Sequence, residues 1–414
     1  MAIARPFRAV RPVAKLADRV ASLPYDVMNR AEAKSMAGDN ELSFLHVVRA
    51  EIDLPESVDD YADQVYVKGC ERLQEMIADG VIKQDDKPCF YLYRQIMKGR
   101  VQTGLVATVS VDDYLSNKIK KHEFTRKAKE IDRTRHFDVC DAHTEPVFLT
   151  YRKRDSINGV IRDFIKFNDP IYDFKTDDDI THIFWVVDDA DTVAALQALF
   201  LDVPTLYIAD GHHRSATSAN VALKRREQYP DAPADAEFNY FMAVIFPDED
   251  LFIMDYNRVV KGLNGLTPQS FLQEIGKVYK IKQVDQPFHP HKKAEMCMYL
   301  DGSWYRLTAM NRILEGLDPV ESLDVSILQN NVLTPLLGID DPRTSMRIDF
   351  VGGIRGLDEL KRRVDGGWAA AFAMCPTTMD DLLTIADAEM IMPPKSTWFE
   401  PKLRSGLFVH MLSD

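Results

Sequence analysis

In "IADGHHRS", Ile208 to Ser215, an apolar run ends in an acid, a glycine, two histidines, an arginine and a serine. The preceding "TLYIA" reads as a strand and the following "SATSANVALKRR" as a helix, with Gly211 freeing the backbone between them. A helix beginning here presents backbone N–H groups and a partial positive charge, which suit a phosphate or carboxylate. Arg214 adds a planar fork of donors matched to phosphate oxygens. His212 and His213 can donate to the same oxygens, or one of them can move a proton. Asp210 can hold Mg2+ through its oxygens, or accept a proton from an attacking hydroxyl. Gly211, His212, His213, Arg214 and Ser215 are thus candidate nucleotide or phosphate ligands. Asp210 and His213 are catalytic candidates, and Asp210 is also the candidate metal ligand. Two plainer alternatives stand beside this: a loop that only caps its helix, and a transition-metal site of Asp210, His212 and His213. Adjacent histidines diverge unless a turn is sharp, and no HxxxH-type spacing accompanies them.

A second concentration is "KKHEFTRKAKEIDRTRHFD", Lys120 to Asp138, read as loop then helix. Glu123 is the first candidate for the base that takes a hydroxyl proton, with Asp210 and Asp26 as alternatives. His122 and Arg133 are candidate substrate ligands. Lys129 and Arg133 are four apart and would share a helical face, which invites an anion. The alternative is a solvated helix salt-bridged through Glu130 and Asp132. A third, "MPPKSTWFEPKLRSGL", Met392 to Leu407, presents Lys395, Ser396, Thr397, Lys402 and Arg404 around Trp398 and Phe399. It reads either as a phosphate or substrate loop, with Lys395 as candidate ligand, or as an arm packed by its aromatics. "SLPYDVMN" sets Asp26 after a Pro-Tyr turn, and "HPH" at His289 to His291 is a surface feature. GxxxxGK[ST] and GxGxxG are both absent, so the usual routes to nucleotides are not indicated.

Elements must position these groups, and 414 residues exceed what one core usually serves. With 46% hydrophobic and 28% charged residues, a sizeable core is available and disorder is not forced. A net charge of −13 argues against nucleic acid and acidic membrane surfaces as partners. Five scattered cysteines without a CxxC pair suit a reducing compartment. Without an apolar signal core or a run of about 20 apolar residues, a cytoplasmic protein is expected. Along the chain, helices are expected at "NRAEAKSMAG", "SVDDYADQVYVKGCERLQEMIADG", "DTVAALQALFLD" and "TPQSFLQEIGKVY". Strands are expected at "PCFYLYRQIM" and "QTGLVATVSVDDYL" as a hairpin across "KGR", and at "EPVFLTY" and "THIFWVVDD". "FNYFMAVIFPDEDLFIMDYNRVV" reads as two strands joined by a charged turn. Adjacent strands outnumber clean βαβ units, so the fold class is α+β with mixed sheets and packed helices.

Taken together, "LPYDV", "KKHEFT" with Lys129, Asp132 and Arg133, "YIADGHHR" with Thr217, and "MPPKSTWFEPKLRSGL" resemble a long-uncharacterised domain family over nearly the whole chain. The "DGHHR" turn in its turn resembles the nucleotide motif of the ParB/sulfiredoxin superfamily. His212 stands where sulfiredoxin carries its catalytic cysteine, so sulfinic-acid repair is not supported. The acidic chain lacks an evident helix-turn-helix, which counts against a ParB-like role on DNA. What the resemblance implies is the remaining branch, the free serine kinases. It implies a ParB/sulfiredoxin-like nucleotide-binding core, ATP or ADP as phosphoryl donor, Mg2+, and free serine converted to O-phosphoserine. On this scheme residues 1–115 form an N-terminal segment, 116–260 the catalytic core, and 261–414 a C-terminal segment closing the active site. A metal-dependent phosphohydrolase and a non-enzymatic nucleotide switch are the rivals. A homodimer is one arrangement left open.

Overall fold

The longest sheet strand, Arg100–Ser110, is buried from Gln102 to its end. Such a run, apolar on both faces, belongs in the middle of a covered sheet rather than at an edge. In the computed structural model, which describes residues 2–413, it does lie there. It pairs antiparallel with Phe90–Met97 across a two-residue Lys98–Gly99 turn, and antiparallel with Tyr240–Pro247 on its other side. The full order of this nine-stranded sheet is Ile119–Lys120, Leu206–Asp210, Val147–Tyr151, Tyr240–Pro247, Arg100–Ser110, Phe90–Met97, Thr181–Val187 and Tyr172–Lys175, with Ala4–Arg5 also on Arg100–Ser110. Parallel pairs (Leu206–Asp210 with Ile119–Lys120, Val147–Tyr151 with Tyr240–Pro247) stand among antiparallel ones, so the sheet is mixed. The α+β class expected from the sequence is therefore observed.

Contacts divide the chain into two units: Met1–Lys121 with Thr125–Leu251 and Pro401–Asp414, and His122–Phe124 with Phe252–Glu400. In the first, helices Asp155–Phe167, Ala190–Leu201 and His212–Gln228 bury Ile157, Leu196, Phe200 and Ala219 in one core with the sheet strands. Asp189 caps the second of these by accepting the N–H of Thr192 at 2.8 Å. A second core holds Val20, Tyr25, Phe44, Leu73 and Cys140. The last residues of the chain stitch this unit together, with Ser405 N bonded to Ser22 O and Val409 N to Val10 O.

The second unit is built on an antiparallel sheet in the order Tyr279–Val284, Ser303–Ala309, Glu295–Leu300, Ala370–Ala373, Tyr256–Val260 and Ile348–Gly352. The "two strands" expected across "FNYFMAVIFPDEDLFIMDYNRVV" are thus split: Tyr240–Pro247 joins the nine-stranded sheet and Tyr256–Val260 this one. Alternation and turn residues mark a strand but not its sheet, which is decided by long-range pairing.

Asp324, buried at the start of helix Asp324–Leu328, accepts the Ala294 N–H at 2.8 Å. Burial pushes its carboxyl up to about 7, against the pull of that bond and of Lys293. Between about pH 4 and pH 7 the folded chain therefore keeps a proton that the unfolded chain has released, and stability falls as pH rises through that window. The Asp324→Asn protein keeps the acceptor and removes the titration. Thermal unfolding followed against pH is expected to lose a slope on the order of 1.4 kcal/mol per pH unit in this window. An unchanged slope would show that Asp324 titrates normally.

Candidate functional site

Strand Leu206–Asp210 runs into helix His212–Gln228 through Gly211 alone. The register of that strand against Val147–Tyr151 shifts between Ile208 and Asp210, and such an irregularity re-aims the last side chain. Gly211 has φ +95°, a left-handed conformation that a side chain resists, and a Cβ there would lie 3.1–3.2 Å from the Arg214 guanidinium. The glycine thus permits both the turn and the fold-back of Arg214 over it. The first intrahelical bond is Ser215 N to Gly211 O at 2.9 Å, so the N–H groups of His212, His213 and Arg214 stand ahead of it at the helix N-terminus.

The polar groups expected at this turn are partly committed to one another. Asp210 Oδ1 accepts the Gly211 N–H at 2.8 Å and lies 3.9 Å from Arg214 Nη2. Its Oδ2 accepts from Lys402 Nζ at 2.9 Å. Burial acts to raise this carboxyl, but Lys402 and Arg214 outweigh it and hold Asp210 well below the usual carboxylate range. Two cations thus share the carboxylate to which the sequence assigns Mg2+. So anionic a group is also a weak acceptor of a hydroxyl proton. Ser215, expected to face phosphate, gives both its N–H and its hydroxyl (3.2 Å) to Gly211 O, and so closes the turn. His213 accepts the Arg126 N–H on Nε2 at 2.9 Å, which places its ring proton on Nδ1. His212 is buried beside Gly211.

Arg214 is 3% exposed. Burial disfavours its charge, yet Asp26, Asp210 and Glu145 more than restore it. One Nη donates to Pro146 O. Its Nε has no hydrogen-bond partner among the described residues. Glu145, which begins the segment leading into strand Val147–Tyr151, is wholly buried behind it. Glu145 Oε1 accepts the Tyr25 N–H at 3.0 Å and the Ser405 hydroxyl at 3.2 Å, while Oε2 lies 3.9 Å from Arg133 Nη1. The Tyr25 contact anchors the short turn Tyr25–Val27 that carries the exposed Asp26.

Arg133, expected to bind substrate with Lys129 beside it, is buried instead. It donates from Nε to Asp132 (3.0 Å) and from Nη1 to Val48 O (3.3 Å), and stacks 4.2 Å over the Tyr25 ring. Lys129 reaches the Tyr61 hydroxyl at 3.3 Å. An arginine with those partners supports the cluster from within, because Asp132, Val48 and Tyr25 already use its donors and its face.

His122, Glu123 and Lys395 belong to the second unit. There the His122 carbonyl accepts the Met392 N–H at 2.8 Å, and the Lys395 carbonyl accepts from Arg258 at 3.0 Å. Lys395 has φ +60°, and its ammonium lies 5.6 Å over the Tyr256 ring. Trp398 packs edge-on to Tyr256, with 5.0 Å between centroids, and Phe399 is buried, which favours the packed-arm reading for these aromatics.

Two members of the cluster escaped the sequence reading. Lys402 was visible only as one cation of a C-terminal segment. Glu145 was not singled out, although an acid directly before the apolar run "PVFLTY" is a signal that could have been weighed.

Among solved structures, similarity is found to a free serine kinase in complex with AMP, at 11% identity and TM-score 0.37 over 71% of this chain and 86% of that one. SbnI with a C-terminal truncation, from Staphylococcus aureus, is similar at 10% identity and TM-score 0.40 over 74% and 87%. A conserved hypothetical protein from Pyrococcus furiosus is similar at 12% identity and TM-score 0.35 over 76% and 97%. Scores this low carry no argument about this chain. No curated protein matches the sequence. No helix among the described residues is long and apolar enough to cross a membrane. A family model does match, over residues 4–326, so that strand, turn and helix all fall inside it, and the chain belongs to the family described as "Protein of unknown function (DUF1015)".

Proposed function

We propose that this protein moves a phosphoryl group from ATP or ADP to the hydroxyl of free L-serine, giving O-phosphoserine. The observation that carries the reading is the buried Arg214 Nε at the N-terminus of a 17-residue helix, a donor without a partner among the described residues. A buried donor left unpaired costs about 1–3 kcal/mol, and an anion seated over Gly211 would relieve it. The N–H groups ahead of the first helical bond and the nearby Lys402 ammonium favour the same anion. A nucleotide-binding core of the ParB/sulfiredoxin type is part of the proposal and rests on the likeness of "DGHHR" to that motif.

In this reading the terminal phosphates lie against the helix N-terminus at His212 to Arg214. Arg214 and Lys402 balance the charge that spreads over the transferring group, and Asp210 holds both in place. The serine oxygen bonds to phosphorus as the bond to the nucleotide breaks, and the serine proton passes to a carboxylate. Asp26 takes that part most simply, being exposed and within the field of Arg214. Glu123 is the other proposed base, and His122 and Lys395 remain proposed substrate contacts by their motifs.

The test is phosphorus NMR of the protein with ATP or ADP and a panel of free amino acids, with and without Mg2+. O-Phosphoserine is expected with wild type and lost with Arg214→Ala. Asp26→Asn and Glu123→Gln, compared side by side, identify the base by which one abolishes transfer. Nucleotide hydrolysis indifferent to the amino acid would replace the kinase by a phosphohydrolase. Binding without turnover would replace it by a nucleotide switch.

A further inference from the structure

We propose that Gln102, Gln95 and His182 form a polar seat across three strands that positions Lys402 at the Gly211 turn. The inference rests on the phosphoryl-transfer reading for what Lys402 does, and on geometry alone for how Lys402 is held. Gln102 stands directly opposite Gln95 in the pairing of Arg100–Ser110 with Phe90–Met97. On the other edge of Phe90–Met97, Gln95 stands opposite His182 of Thr181–Val187. Residues opposite one another across a ladder face the same side, so the three side chains form one row. All three are buried. Covered sheet positions ordinarily carry apolar side chains, because buried amides and imidazoles need hydrogen-bond partners.

The row finds those partners in the C-terminal segment. Gln102 Nε2 donates to Gln95 Oε1 at 2.9 Å, and Gln95 Nε2 donates to the Lys402 carbonyl at 2.8 Å. Two residues on, Arg404 Nε donates to His182 Nε2 at 3.3 Å. Arg404 Nη2 donates to Thr176 Oγ1 at 3.2 Å and to Asp178, which anchors the segment a second time. His182 accepts from Arg404 only while neutral, and burial, helped by the Arg404 charge, holds its imidazole down at about 3. Its proton then stands on Nδ1, 2.7 Å from the Tyr93 hydroxyl.

Lys402 is thereby fixed at both ends. The row holds its carbonyl, and Asp210 holds its ammonium at 2.9 Å. A lysine carries its charge on a flexible four-carbon stem, so the ammonium keeps its aim only where the backbone below it is set. The amide of Gln95 sets that backbone. A misplacement of about 1 Å costs about 10²-fold in a reaction that depends on groups already in position. Gln95, Gln102 and His182 touch no reacting atom in this scheme, and they act through Lys402 as positioning residues.

The experiment compares the full-length Gln95→Leu/Gln102→Leu protein with wild type. Leucine replaces both amides together, so neither is left buried without its partner, and a folded variant is expected. Its kcat for O-phosphoserine formation is expected to fall by about 10²-fold, with KM for serine within about twofold. Trace acetylation with acetic anhydride, read by mass spectrometry, is expected to rise severalfold at Lys402 relative to the other lysines. Should the double variant fail to fold, Gln102→Leu alone leaves Gln95 unoriented and moves both readouts the same way. Asp189→Ala, which removes a helix cap in the same unit, is the control: it lowers the melting temperature and leaves both readouts at wild type. Acetylation does not depend on the reaction. Wild type that makes no O-phosphoserine would overturn the phosphoryl-transfer reading, and labelling of Lys402 then decides the seat by itself. The proposal is overturned if the folded variant keeps Lys402 as poorly acetylated as wild type, or if it transfers at the wild-type rate with Lys402 newly labelled.

Discussion

Gly211→Ala is expected to slow the proposed phosphoryl transfer to serine by on the order of 10²–10³-fold while leaving a folded protein. The new methyl group meets two obstacles. Its backbone sits at φ +95°, which for an L-residue costs about 1–2 kcal/mol. Its Cβ also falls 3.1 Å from Arg214 Nε and 3.2 Å from Cζ, so the guanidinium must shift by a few tenths of an ångström. A domain's usual margin of about 5–15 kcal/mol absorbs the strain. The displaced guanidinium has no such reserve, because stabilisation of a transferring phosphoryl group depends on donors already in position. The measurement is kcat for O-phosphoserine formation alongside a thermal melt. Transfer at the wild-type rate by a folded variant would remove Arg214 from the mechanism.

Glu145→Ala is expected to cost about 3–5 kcal/mol of folding stability, among the largest effects available from one side chain. The carboxylate is fully buried and is the anion set against Arg133 at 3.9 Å and within the field of Arg214. It is also the acceptor for the Tyr25 N–H and the Ser405 hydroxyl. Alanine leaves two buried guanidinium groups with less counter-charge and a buried N–H without its partner. Glu145→Gln is expected to cost much less. Burial already raises the Glu145 carboxyl above its ordinary range in spite of both arginines, so the charge itself adds little net stability. The amide keeps an acceptor for Tyr25 and Ser405. Urea unfolding of the two variants separates these contributions, and equal losses would mean that the charge rather than the hydrogen bonding holds the cluster.

The parts legible in the sequence are those whose cause is local. The strand–glycine–helix passage at Leu206–Gln228 follows from an apolar run, a residue able to take positive φ, and a helix-forming stretch, all within a few residues. The Lys98–Gly99 hairpin and the cap of Asp189 on its helix are of the same kind.

What those residues do to each other was decided by tertiary structure. Nothing near Asp210 in the sequence points to Lys402, which lies 192 positions away and is brought to 2.9 Å of the carboxylate. Arg133 reads as a candidate substrate ligand one turn from Lys129, and only packing shows it buried against Tyr25 and Asp132. Periodicity and capping report on neighbours a few residues apart along the chain. The charge state and partners of a buried group depend on burial and on residues hundreds of positions distant, and those enter only when the core closes.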